Sequence, residues 1–428
     1  MIRSIRFSSL AMALILAAPA AAKSDALAEA TAAAALEAAP VFDGHNDVPI
    51  QLRARLDNMI GDFDFDDTLG TASADRAAMH TDLARLRQGK VGAQFWSVYV
   101  SAALDEPEAV QATIEQIDVT KRLIARHSDD LALAHTADEV EAAIAGGRVA
   151  SLLGMEGGHS IGSSLAVLRQ MHAMGARYRT LTHSRTLSWA DSATDAPRHD
   201  GLNAFGMDVV REMNRIGMLV DLSHVSEAAM HDALDVARAP VIFSHSGARA
   251  VTGHPRNVPD GVLARLPENG GVVMVVALPY FINEDLRQWR AARRAELARL
   301  EDLNPGSPDT VEAQIARWDA ENREPVATIG DMADHIDHIR KIAGIDHIGI
   351  GGDYDGMPTG PVGMEDVAGY PALFTELARR GYSQAELEKI SLRNVLRAMR
   401  ASEAVALASA DMPPIEYPAG RPRDGSTE

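Results

Sequence analysis

The sequence predicts a (β/α)8 barrel, and three observations predict it. Apolar runs of strand type recur eight times, helical patterns lie between most of them, and ionisable residues gather just after the runs. The runs are Val41 to Gly44, Val91 to Val100, Val149 to Gly154, Ala176 to Thr182, Met218 to Leu222, Val241 to Ser244, Gly271 to Leu278 and His347 to Gly352. Several are apolar almost throughout, as in GVVMVVAL, which suits a parallel strand covered on both faces. Ser164 to Met174, Ala204 to Ile216, Ser226 to Ala237 and Asp331 to Ala343 carry the helical patterns that supply the alternation.

Ahead of the first run, residues 1–23 carry Arg3 and Arg6, an apolar stretch from Leu10 to Ala18 and then small residues, so a cleaved secretory signal is expected. An alanine-rich lead-in, residues 24–40, is read as a helix or a frayed segment with no function of its own. Residues 41–428 form the barrel domain, and with 428 residues at 46% hydrophobic content the chain can bury one large core. A charged segment at about 284–327, with Arg and Glu at helical spacing, is expected to be a helical insertion.

Composition narrows the function. Residues 1–23 hold three basic residues and no acid, so their removal takes the net charge from −19 to −22, a surface that repels nucleic acid and anionic lipid. There is no cysteine, hence no disulfide framework, and any metal must be held by nitrogen and oxygen ligands. The final residues, PAGRPRDGSTE, show no lipid-anchor signal, so a soluble protein is expected.

Seven ionisable residues close six of the runs: His45 and Asp47 after the first, Glu156 after the third, His183 after the fourth, His224 after the fifth, His245 after the sixth and Asp353 after the eighth. Each alone has an ordinary explanation as a polar strand end or turn former. In a barrel, however, all carboxyl ends open at one mouth, where catalytic residues collect. Residues i and i+2 of a strand share a face, which lets His45 and Asp47 reach one ion. Three histidines and two acids exceed what one catalytic zinc needs, so two Zn2+ are expected. His45, Asp47 and Glu156 hold one, His224 and His245 the other, and Glu156 bridges. Such a pair supports hydrolysis of an amide or ester. Asp353 is left over as the proton shuttle, with Asp355 the alternative and a turn role in GGDYDG the plain reading. Arg256, in HPRNVP, is a candidate fork for a substrate carboxylate, and His183 a donor to the scissile carbonyl.

The motifs VFDGHNDVP, TDLARLRQGKVGAQFWSVYV, LLGMEGGHSI, YRTLTHS, DLSHVS, FSHS, RNVPD, MADHIDHI and IGIGGDYDG, in this order from about Val41 to about Arg400, resemble the membrane dipeptidase (renal dipeptidase) family of zinc peptidases. The resemblance implies a binuclear zinc barrel that cleaves dipeptides with free amino and carboxyl ends, often with a D residue second, and suggests a homodimer. By motif it places His45, Asp47, Glu156, His224 and His245 as metal ligands, His183 and Arg256 at the substrate, and Asp353 as the shuttle. Where relatives often read MVNFY the chain reads MVVALPYF, which makes Tyr280 the candidate substrate-lining tyrosine and leaves side-chain preference open. In KISLRNVLRAM a glycine is usual before the asparagine, and a local effect is expected. With the signal, the family reading points to a secreted enzyme, periplasmic if the source is Gram-negative.

Rival readings are another metallohydrolase on the same barrel, acting on a cyclic amide, a phosphoester or an aminated base; a hydrolase of β-lactam amides, which the family resemblance implies as a side activity; and a periplasmic binding protein that only holds metal or peptide. Barrels of the first kind often open with His-x-His and bridge through a lysine on strand four. Here the opening is His-x-Asp and the bridging candidate is Glu156 on strand three. His335 and His338, three apart on a helix before the last strand, are read as structural, and Met171 and Met174 as helix core.

Overall fold

The computed structural model describes residues 11–417. The start of the expected signal and the tail PAGRPRDGSTE lie outside the described residues. All eight expected runs form strands, and they close into a parallel barrel. In chain order these are β1 (Val41–Asn46), β2 (Val91–Ser97), β4 (Val149–Met155), β5 (Ala176–Thr180), β6 (Leu219–Asp221), β7 (Ile242–Ser246), β8 (Val272–Val275) and β9 (Ile348–Ile350). β1 pairs with β2 and β9, β2 pairs with β4, and neighbours from β4 to β9 pair in sequence.

One strand was not expected. β3 (Leu131–Leu133) lies along the first residues of β4, with Leu131 opposite Val149, and β5 takes over the same edge of β4 from Leu153. Three residues are too short for a periodic signal, which is why the run LAL escapes a reading of the sequence.

Every residue of β1, β2 and β4 is buried, as expected of strands covered on both faces. Phe42, Phe95, Leu152, Tyr178, Leu219, Ile242 and Met274, one from each of seven strands, meet in a single cluster that fills the barrel. Leu392, Val395, Leu396 and Met399 join that cluster from the carboxyl-terminal helical region. Close packing leaves no slack there. A Cβ on Gly154 of β4 would stand 2.1 Å from the Tyr178 ring, so the glycine is what lets Tyr178 reach across.

The alanine-rich lead-in is helical within Ala11–Ala38. It buries Ala28, Ala32, Ala35 and Leu36 and packs on the helices Tyr370–Arg379 and Gln384–Glu388. The charged segment forms two helices, Glu284–Leu303 and Pro308–Glu321, after β8. They hold one another through Leu300, Val311 and Ile315, and through the Arg293 fork on Asp319, both bonds 2.8 Å. At KISLRN, a π-helical turn spans Lys389–Arg393, and Arg393, where the resemblance predicts glycine, pairs with Glu388 at 2.7 Å.

Among the described residues no helix is long and apolar enough to cross a membrane. His335 is buried, accepts from the Ala248 amide at 2.8 Å and lies 3.1 Å from the Ile282 carbonyl, while His338 pairs with Asp260 at 2.7 Å. Both serve structure, as the sequence reading has it.

Candidate metal centre and substrate pocket

At the carboxyl ends of the strands lies a cavity of about 320 Å³. Asp47, Glu156, His183, His224, His245, Arg256, Tyr280 and Asp353 line it, and His45 lies beneath, fully buried. The structure therefore brings all nine selected residues to one place. Three overlapping groups have ligand atoms within 4.8 Å of one another: His45, Glu156 and His245; Glu156, His183 and His224; His45, Asp47 and Asp353.

Glu156 stands at the centre of this arrangement. Its Oε2 lies 3.5 Å from His45 Nε2, and its Oε1 lies 2.9 Å from His224 Nε2 and 3.5 Å from His245 Nε2. Each carboxylate oxygen thus faces a different set of ligand atoms. Burial opposes its charge, but His45 and His224 pull harder and hold the carboxyl well below the usual range. Burial, aided by nearby positive charge, keeps the imidazoles of His224 and His245 well below theirs, so both are neutral and offer lone pairs.

Asp47 reaches the site by a different route from the one expected. It is not a strand residue: the pairing of β1 with β2 slips between Asp43 and Asn46, and Asp47 is the first residue of the turn into the helix Val48–Leu56. An aspartate there ordinarily caps the helix by accepting from its backbone amides. Asp47 makes no such bond. It points its Oδ2 to within 3.5 Å of His45 Nε2, and its buried Oδ1 has no hydrogen-bond partner among the described residues. His45 Nε2 is likewise without one. Two buried ligand atoms without partners, on adjoining side chains and with Glu156 Oε2 3.5 Å from His45 Nε2, are what a bound cation satisfies, and the all-nitrogen-and-oxygen set fits a borderline divalent metal.

Residues behind the ligands fix their orientation. Ser244 Oγ donates to Asp221 Oδ2 at 2.7 Å and so accepts from His245 Nδ1 at 2.8 Å, which leaves Nε2 of that ring unprotonated toward the site. His45 Nδ1 lies 2.8 Å from the Tyr178 hydroxyl, and Ser97 Oγ donates to Glu156 Oε2 at 3.2 Å. Arg179, fully buried, donates to the carbonyls of Gly157 and Gly158 and so ties down the turn that follows Glu156. His224 and Asp353 adopt left-handed backbone, at φ 72° and 62°, a cost concentrated at functional strand ends. Tyr178→Phe should keep the packing but leave His45 Nδ1 unpaired; metal affinity should fall by about 10- to 100-fold, measured by competition with a chelator.

These supporting residues escape the sequence reading, as does Tyr99, whose ring lies 4.7 Å from that of His183 and which lines the cavity. A signal for two of them existed. Ser97 and Tyr99 end the second run, QFWSVYV, which has no histidine or carboxylate directly after it although a barrel brings that end to the same mouth. Arg256 is buried, with Nη atoms 3.4 Å from Ser246 Oγ and 3.3 Å from the His245 carbonyl, while its Nε has no partner among the described residues. Its pKa falls to about 10 through burial, so it stays charged at neutral pH.

A buried carboxylate among histidine and aspartate side chains able to hold a metal, at the mouth of a (β/α)8 barrel, fits a metal-dependent hydrolase. A model of the membrane dipeptidase family (peptidase family M19) matches residues 29–412, and the chain belongs to that family: it is a metallo-dipeptidase acting on small peptides. It is 41% identical over 382 residues to "Dipeptidase tcpJ" of Claviceps purpurea, covering 87% of this chain and 79% of that one. It is 42% identical over 395 residues to "Uncharacterized dipeptidase C965.12" of Schizosaccharomyces pombe, covering 88% and 84%. Among solved structures, the probable dipeptidase PvdM of Pseudomonas aeruginosa superposes with a TM-score of 0.74 at 23% identity, over 89% of this chain and 99% of that one. A metallopeptidase of Rhodobacter sphaeroides, solved with a phosphinate mimic of the dipeptide L-Ala-D-Ala, gives 0.68 at 24% identity, over 85% and 99%.

Proposed function

We propose that the protein is a binuclear zinc dipeptidase that hydrolyses dipeptides with free amino and carboxyl ends. The observation that carries this is the placement of Glu156, one oxygen toward His45 and the other toward His224 and His245. His45 and Asp47 with Glu156 would hold one ion, and His224 and His245 with Glu156 the second. When bound, the two ions supply Lewis acidity that activates a water and polarises the scissile carbonyl.

The chain's own residues do the rest. Arg256, which lines the cavity, offers its guanidinium charge to the substrate carboxylate and sets which bond lies over the centre. His183 is kept neutral by burial and still carries one N–H to donate to the carbonyl oxygen as charge grows there. Asp353 accepts a proton from the attacking water and returns it to the departing amine nitrogen. Tyr280 closes the wall beside Arg256. Water adds across the peptide bond and two amino acids leave.

A D residue at the second position is part of the proposal, supported by the ligand in the Rhodobacter sphaeroides relative. The reading extends to export, supported by Arg3, Arg6 and the apolar stretch that follows, with a periplasmic site in a Gram-negative source, and to a homodimer on family grounds alone.

Zinc-loaded protein should bind two ions per chain and cleave L-Ala-L-Ala or L-Ala-D-Ala. Acetylating the amino end or amidating the carboxyl end should abolish cleavage, and Arg256→Met should raise KM for the free dipeptide by about 100-fold, as loss of a charged fork would. Two bound zinc ions with no cleavage of any dipeptide would sink the dipeptidase assignment and leave the metal centre standing.

A further inference from the structure

Beside the catalytic cavity lies a second one of about 560 Å³, between the wall residues His254 and Tyr280 and the helix Glu284–Leu303. Tyr280 lines both, so the two are neighbours across a single side chain. The helix presents Arg287, Arg290, Arg293 and Arg294 to it. Arg287 is neutralised by a fork on Glu284, at 2.8 and 2.6 Å, and Arg293 by its fork on Asp319. Arg290 and Arg294 have no carboxylate partner among the described residues, and Glu324 is the single lining acid left against them. Arg290 lies over the Tyr280 ring, its guanidinium carbon 4.3 Å from the centroid, and so stands at the boundary of the catalytic cavity. The field is felt by His254, which burial first and then Arg256, Arg287, Arg294 and Arg249 push down to about 3.

We propose that this cavity is an anion subsite for the side chain of the substrate's carboxyl-terminal residue, making the enzyme selective for dipeptides that end in glutamate or aspartate. The inference rests on the dipeptidase reading and on Arg256 as the carboxylate fork. Arg256 lies 5.4 Å from the Phe281 ring centroid, and Phe281 adjoins Tyr280 at 4.9 Å. The carboxyl-terminal residue is then the one beside Tyr280, and its side chain is the one nearest the arginine cavity, which Tyr280 separates from the catalytic one. A second carboxylate there meets Arg290 and Arg294 while the main-chain carboxylate stays on Arg256.

The test compares kcat/KM for Ala-Glu with that for the isosteric Ala-Gln, with L and D second residues, beside Ala-Ala. The wild type should favour glutamate by about tenfold, less at high salt because the two arginines are exposed. Arg290→Gln with Arg294→Gln should bring the ratio near one with Ala-Ala turnover unchanged, and Arg290→Lys with Arg294→Lys should keep most of the preference. Arg294→Gln alone, which leaves the Arg290 contact on Tyr280 in place, should lower the ratio by half or more. Cleavage of Ala-Ala with a Glu to Gln ratio near one, or a ratio unchanged in Arg294→Gln and in the double glutamine variant, overturns the subsite and leaves the dipeptidase standing. Failure to cleave any of the peptides overturns both.

Discussion

Glu156→Gln should reduce bound zinc from two ions per chain to one or fewer and lower kcat/KM on the best dipeptide by at least about a thousandfold, roughly 4 kcal/mol of transition-state stabilisation. The amide keeps the size of the side chain but removes its negative charge and replaces one acceptor oxygen with an N–H2 donor. Whichever way the amide turns, one side of the site meets hydrogens where a lone pair is required. Oε1 now serves His224 and His245 and Oε2 serves His45, so no rotamer spares both sets. The loss should exceed that of Tyr178→Phe, which disturbs only the orientation of one ligand. Metal analysis of the purified variant beside its kinetics separates this from misfolding. A variant that retains two zinc ions and wild-type turnover would refute Glu156 as the bridge.

The fold and most of the centre were legible because both are written in strong local patterns. Apolar runs such as GVVMVVAL read as buried strands, and the charged or imidazole side chains that close six of the eight runs stand out against them. What could not be read depends on contacts between distant segments. Tyr178 in ARYRT looks like any aromatic strand residue; only the closed barrel sets its hydroxyl on His45, and only the glycine at 154 makes room for it. Asp221 and Ser244 carry no pattern of their own, yet together they fix the tautomer of His245. Asp47 was assigned to the site through strand alternation, whereas a bulge and a helix start deliver it. The helical character of residues 284–303 was visible in their charge spacing, but not that the arginines would face a cavity against Tyr280, since that follows from where β8 ends.

Asp353→Asn should leave metal content and KM near wild type while kcat falls by about 10²- to 10⁴-fold, the usual share of a proton-transfer group. The substitution isolates chemistry because asparagine tolerates the left-handed backbone at φ 62° as aspartate does, and the Asp353 amide still donates to the His45 carbonyl at 3.1 Å. Alanine at that position would confound the result with strain. Burial, opposed by His45 and Arg256 and reinforced by Asp47 and Glu156, pushes the Asp353 carboxyl up to about 8, and bound cations pull it back down. Burial that raises its hold on a proton, set against cations that lower it, suits a group that must take up a proton from water and return it to the amine. Its position in one group with His45 and Asp47 also puts it within ligand reach of the first ion, and the variant distinguishes the two roles. A shuttle lost leaves two zinc ions bound and peptide binding intact, with turnover gone. A ligand lost takes an ion with it, and the fall in kcat then tracks zinc content and recovers as zinc is raised.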